Sequence, residues 1–177
     1  MKTCVHCGGT CTAEAGRWHY VECGLDNVWL NGVEVRTCGS CDRRSVVIPG
    51  ILKLHEDIAR VLVRQPEKLR GAELAFLRQY LGLSKADLAA SMAVGESDVA
   101  AWEATGVATP MQERFLRVLV THGRPATEYP VNGLVELGVD ELAGLGLRPA
   151  VVTRQIDLER RRGKTWRDRG GSGAVAA

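Results

Sequence analysis

The sequence predicts an α+β protein with a small cysteine-rich β domain in front, an all-α bundle behind it, and a basic C-terminal tail. Three observations lead there. Two Cys-x-x-Cys pairs, Cys4/Cys7 and Cys38/Cys41, bracket a stretch rich in β-branched and aromatic residues. Between Pro49 and Val120 apolar residues recur at helical spacing. From Arg154 to Arg169, seven basic residues stand against three acidic ones, a local charge of +4.

A length of 177 residues suits one medium domain or two small ones. Apolar residues make up 45% and charged residues 25%, the balance of ordinary globular material. The overall charge of +2 is too small to point to a partner. No apolar run reaches the ~18 residues of a membrane span, and the first residues lack the apolar stretch of a signal peptide, so a cytoplasmic protein is expected. In a reducing compartment, closely spaced cysteines point to metal or redox chemistry before disulfides.

Within residues 1–48, Trp18, Tyr20 and the segment Val28 to Val35 read as strand. Asn31-Gly32 between Val28-Trp29-Leu30 and Val33-Glu34-Val35 predicts a tight hairpin turn. Pro49-Gly50 breaks the chain, and residues 49–68 form a linker helix. Its apolar positions Leu54, Ile58, Val61 and Leu62 share one face, and Pro66 ends it. His55 falls on the other side of that helix and is expected in solvent. Residues 69–122 are a run of short helices. Leu74, Leu77 and Leu81 give the first stripe, stopped by Gly82. Ser84 with Asp87 three residues on resembles a capping box, and Leu88, Ala89 and Met92 follow. Ala93-Val94-Gly95 is a three-residue turn, after which Val99 and Trp102 face inward. Thr109-Pro110-Met111-Gln112 starts a last helix with Phe115, Leu116, Leu119 and Val120 inside. Helix, short turn and helix in a compact bundle is the helix-turn-helix pattern. Residues 123–153 form an extension read as a short strand or turn and then a short helix. Residues 154–177 are a basic tail, partly disordered, with Gly170 to Ala177 lacking the means to fold.

The two cysteine pairs are 30 residues apart. A Cys-x-x-Cys turn brings two thiolates within reach of one ion, and two such turns complete the tetrahedral shell that zinc prefers. The gap exceeds the ~15–20 residues of the commonest spacing, but a longer β ribbon spans it. One structural Zn2+ held by Cys4, Cys7, Cys38 and Cys41 in a zinc-ribbon-like domain is therefore expected. A redox role for the pairs, or a ligand drawn from His6, Cys11, His19 or Cys23, is the alternative. Gly8 suits the tight turn after the first pair, and Asp42 occupies the matching place after the second. So small a domain buries little core, so its folding is expected to be coupled to metal binding.

Several stretches carry a family resemblance: Cys4-Val-His-Cys7-Gly8, Arg36-Thr-Cys38-Gly-Ser-Cys41, Ile48-Pro-Gly-Ile51, and Gly71-Ala-Glu-Leu-Ala-Phe-Leu-Arg78 leading into Leu83-Ser84. Over residues 1 to about 121 the chain resembles the MqsA/YgiT-type zinc-finger helix-turn-helix proteins. Its helical part is similar to the XRE/Cro type, with Leu88-Ala89 and Val99-x-x-Trp102-Glu103 at scaffold positions. The resemblance implies a homodimer formed through the C-terminal half and operator DNA bound by the helix-turn-helix. In antitoxins of the family it also implies a toxin held by the zinc domain.

In such modules the early residues of the second helix read bases. Here that helix begins Glu96-Ser97-Asp98, and Ala100 and Ala101 offer no hydrogen bond to a base edge. Residues 71–120 carry a local charge of −2, which opposes phosphate binding. The candidate DNA contacts are Lys85, Glu96 and Ser97, together with Arg160, Arg161, Arg162 and Lys164 of the tail. The expected function is a zinc-stabilised transcriptional regulator or antitoxin. The alternative is a protein-interaction adapter whose helix-turn-helix no longer reads DNA. No catalytic motif is visible: His6, His19, His55 and His122 are scattered, and Glu56-Asp57 do not share a helix face. An enzyme is not expected.

Overall fold

The computed structural model describes residues 2–123, 155–160 and 166–169. They form an α+β protein of six strands and five helices in two compact units, one holding the strands and the other the helices. Among the described residues no helix is long and apolar enough to cross a membrane.

The strands β1 (Lys2–Thr3), β2 (Thr10–His19), β3 (Val28–Cys38), β4 (Arg44–Val47), β5 (Ile156–Arg160) and β6 (Trp166–Asp168) make one mixed sheet. Its order is β1-β2-β3-β5-β6, with β4 also on β3. The central strand is β3. One edge pairs with β2 along most of its length. The other edge is shared, with β5 parallel along Val28–Asn31 and β4 antiparallel along Glu34–Thr37.

Asn31-Gly32 does not turn the chain. The strand runs straight through it, and Gly32 is the extra residue of a β-bulge: Arg17 faces Asn31 and Gly16 faces Val33. Gly32 has φ +72°, a conformation that a bulge and a tight turn both demand of glycine, which is why the dipeptide signal misleads. The bulge also resets the alternation. Val28 and Leu30 are buried before it, Val33 and Val35 after it.

The basic tail is likewise corrected in part. Residues 156–160 and 166–168 are strands of the sheet, so the cysteine-rich domain is completed from the far end of the chain. Ile156, Leu158 and Trp166 are buried, while Asp157 reaches Arg17 (3.1 Å) and Asn31 (3.3 Å). The period-2 alternation Ile-Asp-Leu-Glu carries this strand, and the neighbouring arginines obscure it in the sequence. The expectations for residues 123–153, apart from Gly123, and for 170–177 fall outside the described residues.

The helical unit follows the sequence closely. Helix α1 spans Ile51–Arg64, α2 Gly71–Tyr80, α3 Lys85–Met92, α4 Glu96–Thr105 and α5 Pro110–His122. Ser84 caps α3, its Oγ accepting from the Asp87 amide (3.0 Å) while Asp87 accepts from the Ser84 amide (2.9 Å). Thr109 and Gln112 cap α5 in the same reciprocal way, with Pro110 at its first position. Ala93 ends α3 at φ +54° and starts the turn to α4. Leu74, Leu77, Leu88, Val99, Ala108 and Leu116 are buried.

Two arginines tie the helical unit together. Arg78 holds Glu103 through two bonds (2.5 and 3.2 Å) and donates to the Leu83 carbonyl (2.7 Å). Arg117 on α5 donates to the carbonyls of Val63, Gln65 and Glu67 (2.6–2.8 Å) and to Glu113 (2.7 Å), satisfying acceptors left over where α1 ends. Arg117→Ala strands these carbonyls and leaves the Glu113 carboxylate with only the Leu69 amide (3.3 Å), so it is expected to cost about 3 kcal/mol in urea unfolding.

His55 is not solvated. It is 3% exposed, with Phe76 edge-on at 5.7 Å, and burial pushes its pKa from 6.5 down to about 4. The apolar face of α1 is thus wider than Leu54, Ile58 and Leu62 alone suggest. Between pH 6.5 and about 4 the unfolded chain takes up a proton that the folded chain refuses. Stability from this group is therefore complete above pH 6.5 and is lost as pH falls to about 4. We expect His55→Leu to remove roughly 2–3 kcal/mol of the loss seen between pH 7 and 4.5, read from urea midpoints. Phe115 is also displaced from its expected place. It joins Met111 and Val118 on the exposed side of α5, because Gln112, Glu113 and Leu116 take the inner one.

Candidate metal centre

The knuckles are the two turns β1–β2 and β3–β4, and the β2–β3 register sets them side by side. They are built alike. In the first, the Cys4 amide donates to the Gly9 carbonyl (2.8 Å) and the Gly8 amide to the Cys4 carbonyl (2.9 Å). In the second, the Cys38 amide donates to the Arg43 carbonyl (2.9 Å) and the Asp42 amide to the Cys38 carbonyl (3.0 Å). Each turn needs a positive φ at the residue after its second cysteine, +72° at Gly8 and +55° at Asp42. Aspartate is among the few other residues that tolerate this conformation, which explains why it stands where glycine is usual.

The sulfurs converge. Cys4 and Cys41 Sγ are 3.8 Å apart, and Cys7 lies 3.5 Å from both Cys38 and Cys41. All four lie within 4.8 Å of one another. A tetrahedron with Zn–S bonds of about 2.3 Å has S···S edges of about 3.8 Å. The four thiols therefore fit a single ion, and four sulfurs close its shell.

Backbone amides aim at the sulfurs. The Ser40 amide lies 3.4 Å from Cys38 Sγ and brings its pKa down to about 6. The amides of Cys7 and His6 likewise lower Cys4. At Cys41 the Arg43 amide favours the thiolate, but Cys7 and the other sulfurs prevail and raise the pKa to about 12. Cys7, favoured by the Gly9 amide, is raised by Cys38. Four thiolates this close repel one another, so some hold protons until a cation relieves the repulsion. The donor set thus suits a divalent ion that prefers soft ligands.

Two contributors have little signal in the sequence. A Cβ at Gly9 would come within 2.5 Å of Ser40 Oγ and 3.2 Å of Cys38 Sγ, so glycine lets the knuckles meet. Cys11 on β2 stands directly opposite Cys38, and burial together with the Cys38 and Cys4 sulfurs raises its pKa. Counting along β2 cannot pair Cys11 with Cys38, because the bulge on β3 shifts the β2–β3 register between Gly16 and Arg17.

The other proposed ligands lie apart. His6 is exposed within the first knuckle. His19 stacks on Trp29 (4.3 Å) with Nε2 against the Asp26 carbonyl (2.7 Å). Cys23 is buried, which pushes its pKa up to about 12. Among the proposed DNA contacts, Lys85 opens α3 with Nζ 3.7 Å from Glu103. Glu96 and Ser97 are exposed at the start of α4, where Asp98 accepts from the Gly95 amide (2.9 Å). Arg160 is exposed at the end of β5, in the sheet unit. Arg161, Arg162 and Lys164 lie outside the described residues.

Fold and site define a class: an α+β protein with a four-cysteine candidate metal centre in its sheet unit and a five-helix unit beside it in sequence. No protein-family model matches the chain, and no curated protein or solved structure matches it either.

Proposed function

We propose that the chain is a zinc-stabilised DNA-binding regulator. The single observation that carries this reading is the α3–turn–α4 arrangement. Two short helices are joined by Ala93-Val94-Gly95, with Leu88 and Val99 buried and α4 fastened to α2 through Arg78 and Glu103. A helix presented in this way is the form that enters a major groove, with Ser97 and Glu96 at its leading end. The ion is zinc in this reading, since four thiolates in a closed tetrahedron are its structural site. It fixes the knuckles and takes no part in chemistry. A homodimer, for which Met111, Phe115 and Val118 on α5 supply an exposed apolar face, would set two α4 helices on a two-fold operator in the cytoplasm. In a toxin–antitoxin pair, the sheet unit would hold the toxin.

Fluorescence anisotropy with the chain's own upstream DNA at several salt concentrations tests this. Affinity should fall with salt, and Lys85→Ala should reduce the log–log slope by about 0.9. Absence of binding at low salt would refute the reading.

A second reading rests on specific charges. Lys85 faces Glu103, Glu96 and Asp98 make the start of α4 anionic, and Ala101 is exposed where a base contact is needed. These features favour an adapter that keeps the helical scaffold to bind protein. Co-purification of a protein partner without DNA would select it.

A further inference from the structure

We propose that Cys11 is the fifth thiol of an oxidant-responsive centre, in which peroxide converts the metal-holding cluster into a Cys11–Cys38 disulfide and releases the ion. The inference rests on the metal reading above.

Three observations carry it. Cys7 is the exposed member of the four, and its sulfur lies 3.5 Å from that of Cys38. Cys11 and Cys38 are direct cross-strand partners on β2 and β3. Their pair is of the non-hydrogen-bonded kind: the Gly39 amide donates to the Thr10 carbonyl (3.1 Å), and the Cys38 amide turns to Arg43. Such partners have Cα atoms about 4.5 Å apart with side chains on the same face. That separation falls inside the roughly 4.4–6.8 Å window that a disulfide spans. The strands therefore hold Cys11 against Cys38, whereas the knuckle cysteines sit on turns that the ion itself keeps in place.

The chemistry uses hydrogen peroxide as oxidant. The Cys7 thiolate attacks one peroxide oxygen. An S–O bond forms, the O–O bond breaks, hydroxide leaves and Cys7 becomes a sulfenic acid. The Cys38 thiolate then displaces hydroxide from the Cys7 sulfur, forming the Cys7–Cys38 bond. Cys11 gives its proton to one hydroxide, making water, and its sulfur attacks Cys38, expelling the Cys7 thiolate. Overall one thiol, one thiolate and one peroxide give a disulfide, water and hydroxide. Cys38 is no longer a thiolate donor, so the shell falls to three ligands and the ion leaves. Thiol reductants reverse the change.

Full-length protein with its zinc content already measured is treated with one equivalent of hydrogen peroxide. Zinc release is followed with a colorimetric chelator, and a non-reducing digest is mapped by mass spectrometry. The expected result is one zinc released per chain and a single crosslink between the peptides of Cys11 and Cys38. Cys11→Ser should bind zinc one-to-one and stop at the Cys7–Cys38 crosslink. Zinc release with Cys11 still open to alkylation would overturn the proposal, as would resistance of the loaded protein to peroxide. A chain without zinc before peroxide contradicts the metal reading instead, and the same digest still reports whether Cys11 and Cys38 pair.

Discussion

Replacing Cys38 with serine is expected to weaken metal binding by about two orders of magnitude while leaving the helices folded. Cys38 is the most tightly held of the four candidate ligands: it ends β3, is fully buried and receives the Ser40 amide. A serine hydroxyl stays protonated near neutral pH and is a poor donor to a soft-ligand ion. Structural zinc sites bind with about 10–16 kcal/mol in all, so one of four ligands carries roughly 3 kcal/mol, or about two orders of magnitude in affinity. The structural consequence is local. In this account the turns of β1–β2 and β3–β4 depend on the ion. The other end of the sheet has buried Val28, Leu30, Ile156, Leu158 and Trp166. Hydrogen exchange should therefore show residues 2–9 and 38–47 opening in Cys38→Ser while β2, β3 and β5 stay protected toward Val28–Asn31. A metal affinity unchanged in the variant, read by competition with a chelator, would contradict the four-ligand site.

Gly71→Ala is expected to destabilise the helical unit by about 3 kcal/mol or more, although alanine is the better helix former by roughly 1 kcal/mol. Gly71 is the first residue of α2, and a Cβ there would lie 2.1 Å from the Glu103 carbonyl oxygen and 3.1 Å from that of Trp102. Both obstacles are backbone of α4, so no side chain can step aside. The neighbouring Gly106, at φ +72°, ends α4 with its amide on the Trp102 carbonyl (2.7 Å) and leaves no slack. The same contact lies beside Glu103, the partner of Arg78. An urea midpoint unchanged or raised in Gly71→Ala would contradict the tight α2–α4 approach.

The helical unit is legible in the sequence because its signals are local. Ser84/Asp87 and Thr109/Gln112 make the caps they spell out, and Gly82 and Gly106 fall where helices stop. The convergence of Cys4, Cys7, Cys38 and Cys41 is legible for a related reason, since a Cys-x-x-Cys pair carries its geometry within one turn. The misreadings come from long-range structure. Gly32 is a bulge because β2 lies beside it, a fact held by residues 15 positions away. Strand β5 exists because β3 offers it an edge more than a hundred residues upstream, and β6 adds to β5 in turn. His55 is buried by its surroundings and not by its polarity, and the place of Cys11 opposite Cys38 depends on the strand register alone.

Elemental analysis of freshly reduced, full-length protein, joined to native mass spectrometry before and after chelation, addresses the metal centre most directly. One zinc ion per chain, lost on chelation together with the exchange protection of both knuckles, is the expected result. A metal-free chain whose residues 2–47 are equally protected with and without chelator would show that the cysteines converge for some other purpose.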